Sequence, residues 1–419
     1  MTGRFREWIM TTNPEDPTGQ VELLHQCLAG DKKPIGFLLG AGCPMAIRTR
    51  APGGDSDEPL IPDVATLTER VRECIGGSGE LGAPLTCVEE HLRSDRGGSA
   101  TVEDVLTHIR SLAAVAGQGE VRGLTAQQLS SLDKYICDVI HDLVDKELPE
   151  GDTPYHVVAR WVNSVRREFP VEIFTPNYDL LIEQAMEATR TPYFDGFPGV
   201  QSPLFDPASV EDSRLPPHWA RVWKLHGSIN WYQNSVGDVF RSTTSEGRDR
   251  RVIHPSHLKH EESRRMPYLA MLDRLRNFLR EPTAVLVLCG YSFRDGHIND
   301  TIAQGLQYTR TSIAYGLLFG NLENCPRAIE LAKDHPNLNL LALDGGIIGS
   351  REVEWCRTVT GSALELPGGA ISWCAIDEKD EAALQRGQCR LGDFAVFTAF
   401  LSSLSRGTQP TEHGVSRGS

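Results

Sequence analysis

The sequence predicts an α/β protein: a doubly wound parallel sheet of about six strands with a helical subdomain inserted into it. Three observations predict this. Six short apolar runs rich in branched residues (35–39, 171–174, 222–225, 284–288, 313–319 and 338–343) recur with helical stretches between them, the alternation of a parallel sheet. Most runs stop at a small or polar residue, as Leu39 gives way to Gly40 and Phe174 to Thr175, and that strand-end edge is where open α/β sheets bind ligands. About 130 residues separate the first run from the second, far more than one crossover helix needs, so helices must be inserted there, over about 64–168.

With 419 residues, 40% of them hydrophobic, the chain can bury a sizeable core in two or three structural units. Lysine plus arginine total 42 against 56 acidic residues, a net charge of −14, which opposes an unaided grip on a phosphate backbone and excludes direct nucleic-acid binding as an expectation. The ten cysteines are scattered singly with no C-x2-C pair, a pattern of reduced cytosolic thiols and not of a disulfide framework or a zinc ribbon. No apolar stretch has the form of a signal peptide or approaches the roughly 18 residues of a membrane span, so the expected compartment is the cytoplasm.

Within the insertion, one helix should start at Thr125 and carry Leu129, Leu132, Tyr135, Ile136, Val139, Ile140, Leu143 and Val144 as an apolar stripe ending before Pro149. Another should start at Thr101, with Asp104 completing a capping box and Val105, Ile109 and Leu112 facing inward. These stripes are packing surfaces. The loops 50–59 and 191–217, the latter with six prolines, read either as lids over the site or as surface connections. Residues 1–343 form the catalytic unit on this reading, 344–406 a C-terminal extension with assembly as one role and an amphipathic helix over 394–404, and 407–419 a disordered polar tail.

Three strand ends carry the chemistry. The first runs into Gly40-Ala41-Gly42-Cys43-Pro44, where glycines let the backbone approach a ligand and the next helix aims free N–H groups at an anion such as a pyrophosphate; a tight structural turn is the alternative. The second ends in Thr175-Pro176-Asn177-Tyr178-Asp179, an amide and a carboxylate on the binding edge, either of which could instead cap the helix over 180–188. The third ends in Lys224-Leu225-His226-Gly227-Ser228, and a histidine there suits a general base, although a lone His-Gly is more often structural. His254, His257 and His260 lack evident carboxylate or thiolate partners for a metal, and a turn after a strand over 251–253 is their other context.

The order of these motifs resembles the sirtuin (silent information regulator-like) family, which reads G-A-G, T-Q-N-I-D and H-G in that sequence. Ile61-Pro62-Asp63 looks like the family's I-P-D segment displaced downstream, and the stretch from Gly290 to Asn299 (G-Y-S-F-R-D-G-H-I-N) is similar to that of the bacterial sirtuin-like NAD hydrolases of antiphage defence. The resemblance spans roughly 35–343. It implies a Rossmann-like sheet that takes NAD as substrate with no metal. Asn177 would hold the ribose and the attacking water, His226 would be the base, and Asp179 would bind the nicotinamide carboxamide. Ala41 and Gly42 would lie against the pyrophosphate, and Gly290, Ser292 and Asp295 would line the adenosine side. Gly40, Asp63, Thr175, Gly227, Ser228, Tyr291 and His297 complete the expected lining.

Departures narrow the reaction. The missing cysteine pairs remove the zinc ribbon that helps shape an acyl-lysine groove in the deacetylating members. Pro44 and Pro176 replace the family's serine and glutamine without touching the asparagine or the base. The expectation is therefore NAD hydrolysis to nicotinamide and ADP-ribose, by a homo-oligomer restrained by a protein partner, which in this branch is a HerA-type ring ATPase or an Argonaute. NAD-dependent deacylation, ADP-ribosyl transfer and non-catalytic sensing of NAD or ADP-ribose are the competing readings.

Overall fold

The computed structural model describes residues 14–50, 57–76, 79–96, 100–117, 119–164, 166–199, 203–211, 215–234, 238–242, 250–253, 267–358, 369–375 and 384–406. His254, His257, His260, the 407–419 tail and most of the 50–59 loop lie outside these residues, as does part of the 191–217 loop.

Six parallel strands form the centre: β1 (Ile35–Leu39), β2 (Glu172–Thr175), β3 (Ala220–Lys224), β4 (Val285–Cys289), β5 (Ile313–Leu317) and β6 (Leu338–Leu341). Their spatial order is 6-5-4-1-2-3, so the chain moves outward from β1 in one direction and then, after β3, crosses back to build the other side. Open α/β sheets bind ligands where that direction reverses, which here is at the carboxyl ends of β1 and β4. Strands β1 and β4 are buried along their whole length, which is why they read as unbroken apolar runs.

Successive side chains point to opposite faces, and helices cover both. On one face Phe37 meets Trp161 of helix Pro154–Ser164 and Phe397 of helix Phe394–Arg406, at ring-centroid distances of 5.4 and 6.0 Å. On the other, Leu38, Leu286 and Leu288 share a core with helix Tyr268–Arg280, whose Phe278 ring lies 5.7 Å from that of Phe174.

The expected six strands are only the parallel core of a larger sheet, which has twelve among the described residues. Tyr193–Phe194 adds a short strand outside β3. Beyond β6 the chain turns back antiparallel through Gly345–Ile348, Arg351–Thr358, Leu384–Cys389 and Ile371–Ala375, and Pro14–Glu15 pairs with Arg351–Thr358. The described residues among 345–406 thus continue the same sheet and return a helix to its face. The undercount has a physical cause: Gly345–Ile348 is too short and glycine-rich to read as an apolar run, and Arg351–Thr358 and Ile371–Ala375 are partly exposed, so they lack the unbroken run that marks a buried strand.

Between β1 and β2 lie the helices Val64–Gly76, Gly82–Arg96, Val102–Ala116, Ala126–Val144 and Pro154–Ser164. Val102–Ala116 begins with the expected capping box, Thr101 and Asp104 bonding each other's backbone, and Ala126–Val144 has a second one from Thr125 and Gln128. The predicted stripe is buried at Leu129, Leu132, Ile136, Ile140 and Val144.

Candidate functional site

The glycine turn after β1 is defined by its neighbour across the switch point. Gly42 N–H donates to the Gly290 carbonyl at 2.9 Å and Gly40 N–H to Cys289 at 2.9 Å, while Cys43 N–H closes on Gly40 at 3.0 Å. A Cβ on Gly42 would come within 2.8 Å of Gly290 Cα. One on Gly290, which has φ +65°, would come within 2.6 Å of Cys43 N. Two backbones therefore touch here, and only glycine permits it. This corrects the expectation of free N–H groups aimed at an anion: the N–H groups of Gly40, Gly42 and Cys43 are spent internally, and the following helix, Gly42–Met45, is a single turn. Ala41, exposed, is the residue of the turn left facing outward. Gly290→Ala is expected to destabilise the fold by about 1–3 kcal/mol through this clash, read as a lower denaturation midpoint.

The end of β2 is braced against the turn. Thr175 Oγ1 donates to the Leu39 carbonyl at 2.7 Å, and Asn177 Nδ2 donates to the Gly40 carbonyl at 3.1 Å. Asn177 is half-buried, with its amide plane set by that bond. Asp179 behaves differently: it is 5% exposed, and its Oδ1 accepts the Leu181 N–H at 3.1 Å, so it starts the helix Leu181–Ala188. The two ambiguous residues thus divide the roles, Asp179 at the helix start and Asn177 at the turn.

Beneath them lies a buried ionic cluster that the motifs do not reveal. Lys224, the last residue of β3 and 1% exposed, donates to the Asp179 carbonyl and sits 3.4 Å from Glu183 Oε1. Burial pushes the Asp179 and Glu183 carboxyls up, and the Lys224 ammonium opposes it in both. A lysine inside an otherwise apolar strand run was the available signal.

His226 follows β3 and meets the loop after β4. Its Nε2 lies 2.8 Å from Asp295 Oδ2, with both side chains about four-fifths buried, at 19% and 20% exposure. Burial pushes the histidine down, but the Asp295 carboxylate outweighs it and raises the imidazole above its ordinary value. Burial likewise pushes Asp295 up, yet His226 and the Ile298 N–H hold it well below the usual carboxylate range. Asp295 also starts the helix Gly296–Tyr308, its Oδ1 accepting the His297 and Ile298 N–H groups at 2.8 and 3.0 Å. One carboxylate therefore fixes both a helix and the candidate base. Glu103, from the first turn of Val102–Ala116, adds a second negative field at His226, and its own carboxyl is raised by burial. No sequence motif pointed to it.

Several expected lining residues are occupied with bracing. Tyr291 Oη donates to Asn299 Oδ1 at 2.8 Å with the Asp295 carbonyl 3.2 Å away as a second acceptor for the same proton, and fully buried Ser228 reaches the Tyr178 carbonyl at 3.4 Å. Asp63 caps Val64–Gly76 through Thr66 N–H at 2.8 Å and makes no hydrogen bond to the other site residues among those described. Gly227, at φ +94°, turns the chain from His226 into the strand Gly227–Gln233, while Ser292 is exposed and His297 half-buried. The Tyr178 hydroxyl and Asn230 Oδ1 are buried without a hydrogen-bond partner among the described residues. No group of three or more histidine, cysteine, aspartate or glutamate side chains among the described residues is arranged to hold a metal ion, and no described helix is long and apolar enough to cross a membrane.

No curated protein matches the chain. A solved structure described as "Structural Basis for the Mechanism and Regulation of Sir2 Enzymes" matches at 11% identity, over 72% of this chain and 86% of that one, with a TM-score of 0.34. Residues 171–330, which hold β2 to β5 together with Asn177, His226 and Asp295, match the family model of the SIR2-like domain.

Proposed function

We propose that the chain is an NAD hydrolase, cleaving NAD to nicotinamide and ADP-ribose, and that it serves as the NAD-depleting effector of a bacterial antiphage defence system in the cytoplasm. The observation that carries this reading is the His226–Asp295 pair set across the strand-end edge from an asparagine anchored to the glycine turn. The match of this same segment to the SIR2-like domain supports it.

Cleavage passes through an oxocarbenium-like ribose, so the chain must exclude water from the leaving group, orient one water and accept its proton. Asn177 is suited to the orienting step. Its Nδ2 is held by Gly40, which leaves Oδ1 to accept a hydrogen bond from a water or a ribose hydroxyl. His226, with Nε2 turned to Asp295, presents Nδ1 as the other protonation site, and Asp295 stabilises the imidazolium that forms when the water's proton arrives. The carboxylates of Asp295 and Glu103 also favour positive charge nearby, the sign that develops on the ribose.

Unrestrained NAD cleavage would kill its host, so the activity is held back by assembly, with self-association and a HerA-type ring ATPase as the proposed partner arrangement. The test is purified full-length chain, alone and with the protein encoded beside it, incubated with NAD while nicotinamide is followed. No release in either case, nor on adding phage nucleic acid, rejects the reading.

The pH dependence gives a second check. A base must be unprotonated, so kcat/KM should rise with pH through a value above the ordinary histidine pKa of about 6.5. Asp295→Asn removes the main raising partner and leaves burial opposed only by the field of Glu103. The rising limb should then move to lower pH while the maximum rate falls, because the ring loses its orienting acceptor. A limb that stays in place would show that Asp295 does not set the base.

A further inference from the structure

Phe319 is the most exposed of the large hydrophobic side chains among the described residues, at 77%. Tyr308, nearly as exposed, carries the Arg280 guanidinium 4.8 Å above its ring, whereas no ring or cation contact from the described residues covers Phe319. Its backbone is firmly held. Leu318 N–H donates to the Leu341 carbonyl and Leu343 N–H to the Gly320 carbonyl, both at 2.9 Å. Gly392 packs so closely on the Leu318 carbonyl and the Phe319 amide that no larger residue would fit. A fixed backbone thus holds a bare aromatic ring in water.

The register places that ring. Leu39 pairs with Cys289 and Cys289 with Leu317, so Ala41, Tyr291 and Phe319 each stand two residues past the same row, at the carboxyl edge of β1, β4 and β5. With strands about 4.8 Å apart, Phe319 lies about 10 Å along the edge from exposed Ala41. Asn177 and His226 lie on the opposite side of β1, at the ends of β2 and β3. A dinucleotide with its nicotinamide ribose at Asn177 and His226 and its pyrophosphate over Ala41 has one direction left for its second half: past Gly290 toward β5. An aromatic face at that distance suits a flat purine, because every base has a π-face to stack.

We infer that Phe319 is the platform on which the adenine of the dinucleotide stacks. This rests on the NAD reading above, and it adds a specificity residue that no motif marked. Such a contact acts equally in ground and transition state, so it should appear in KM and not in kcat.

The test is calorimetric titration of the full chain with ADP-ribose, for wild type, Phe319→Ala and Phe319→Trp. Alanine should weaken binding about ten-fold to a hundred-fold, the range expected for one lost base stack, and tryptophan should keep it within about three-fold. The denaturation midpoint should not move, since the ring touches no core. Equal affinity for alanine and wild type overturns the inference, as does tryptophan weakening binding as much as alanine. Loss of subunit association in Phe319→Ala with unchanged affinity overturns it too, by showing that the ring meets protein. ADP-ribose binding that depends on Phe319 without any NAD cleavage would uphold this inference while removing the hydrolase reading. A wild type that does not bind ADP-ribose overturns it.

Discussion

His226→Ala is expected to slow nicotinamide release by about 10²- to 10⁴-fold, the usual worth of a positioned general base. The effect should fall mainly on kcat, because the imidazole accepts its proton only as the water attacks. The fold should survive. His226 is a strand-end residue with its ring at 19% exposure, and Asp295 keeps its bonds to the His297 and Ile298 N–H groups when the imidazole is gone. Unchanged circular dichroism with the rate collapsed is the expected pair of results. A variant that retains more than about a tenth of the wild-type rate would assign the proton to another group.

Lys224→Met is expected to destabilise the protein by about 3–5 kcal/mol, as removal of one partner from a buried ion pair does. Methionine nearly matches the lysine stem in volume, so the loss isolates the charge. Glu183 would then lie buried with its Oε2 already unpartnered, and Asp179 would lose the one cation that offsets its burial. Both carboxyls would rise further and be held protonated in the folded state. A folded-state pKa raised above the unfolded value gives stability that is present below about pH 4, the unfolded value, and lost as pH rises through the folded one. The deficit against wild type should therefore be larger at pH 8 than at pH 5, measured from urea midpoints at both. A deficit below about 1 kcal/mol, or one independent of pH, would mean that the lysine is not the counter-charge of this cluster.

The His226–Asp295 pair has a pH window of its own. His226 is raised and Asp295 lowered, so the pair contributes fully between about pH 4 and about pH 6.5. That contribution fades as pH climbs through the raised histidine value, or falls through the depressed aspartate value.

How much of this was legible in the sequence follows from burial. The parallel strands are covered on both faces, so Ile35–Leu39 and Val285–Cys289 stand out as plain apolar runs. In Arg351–Thr358 the signal is weaker: Val353 and Trp355 are buried, Glu352 is exposed and Glu354 half-buried, a period-two pattern spread over a charged segment. Tyr193–Phe194 is too short to carry any period. At the site, the strand-end positions of Gly40, Asn177 and His226 could be read from local sequence, because each lies within three residues of the end of a run. Their partners could not. Asp295 reaches His226 only because the loop after β4 crosses the switch point, and Glu103 arrives from a helix whose docking no local pattern encodes. The glycine turn shows the same limit in reverse: its composition suggested anion binding, yet its N–H groups close against Gly290.

Hydrolysis is the central claim, and the most direct measurement of it is the reaction run in water enriched in heavy oxygen, with nicotinamide and ADP-ribose quantified by mass spectrometry. The predicted result is equal amounts of the two products, one heavy oxygen in the ribose of each ADP-ribose, and both products suppressed in His226→Ala. Nicotinamide released without free ADP-ribose would mean transfer to another acceptor, and NAD left intact by the chain and its partner together would contradict the account.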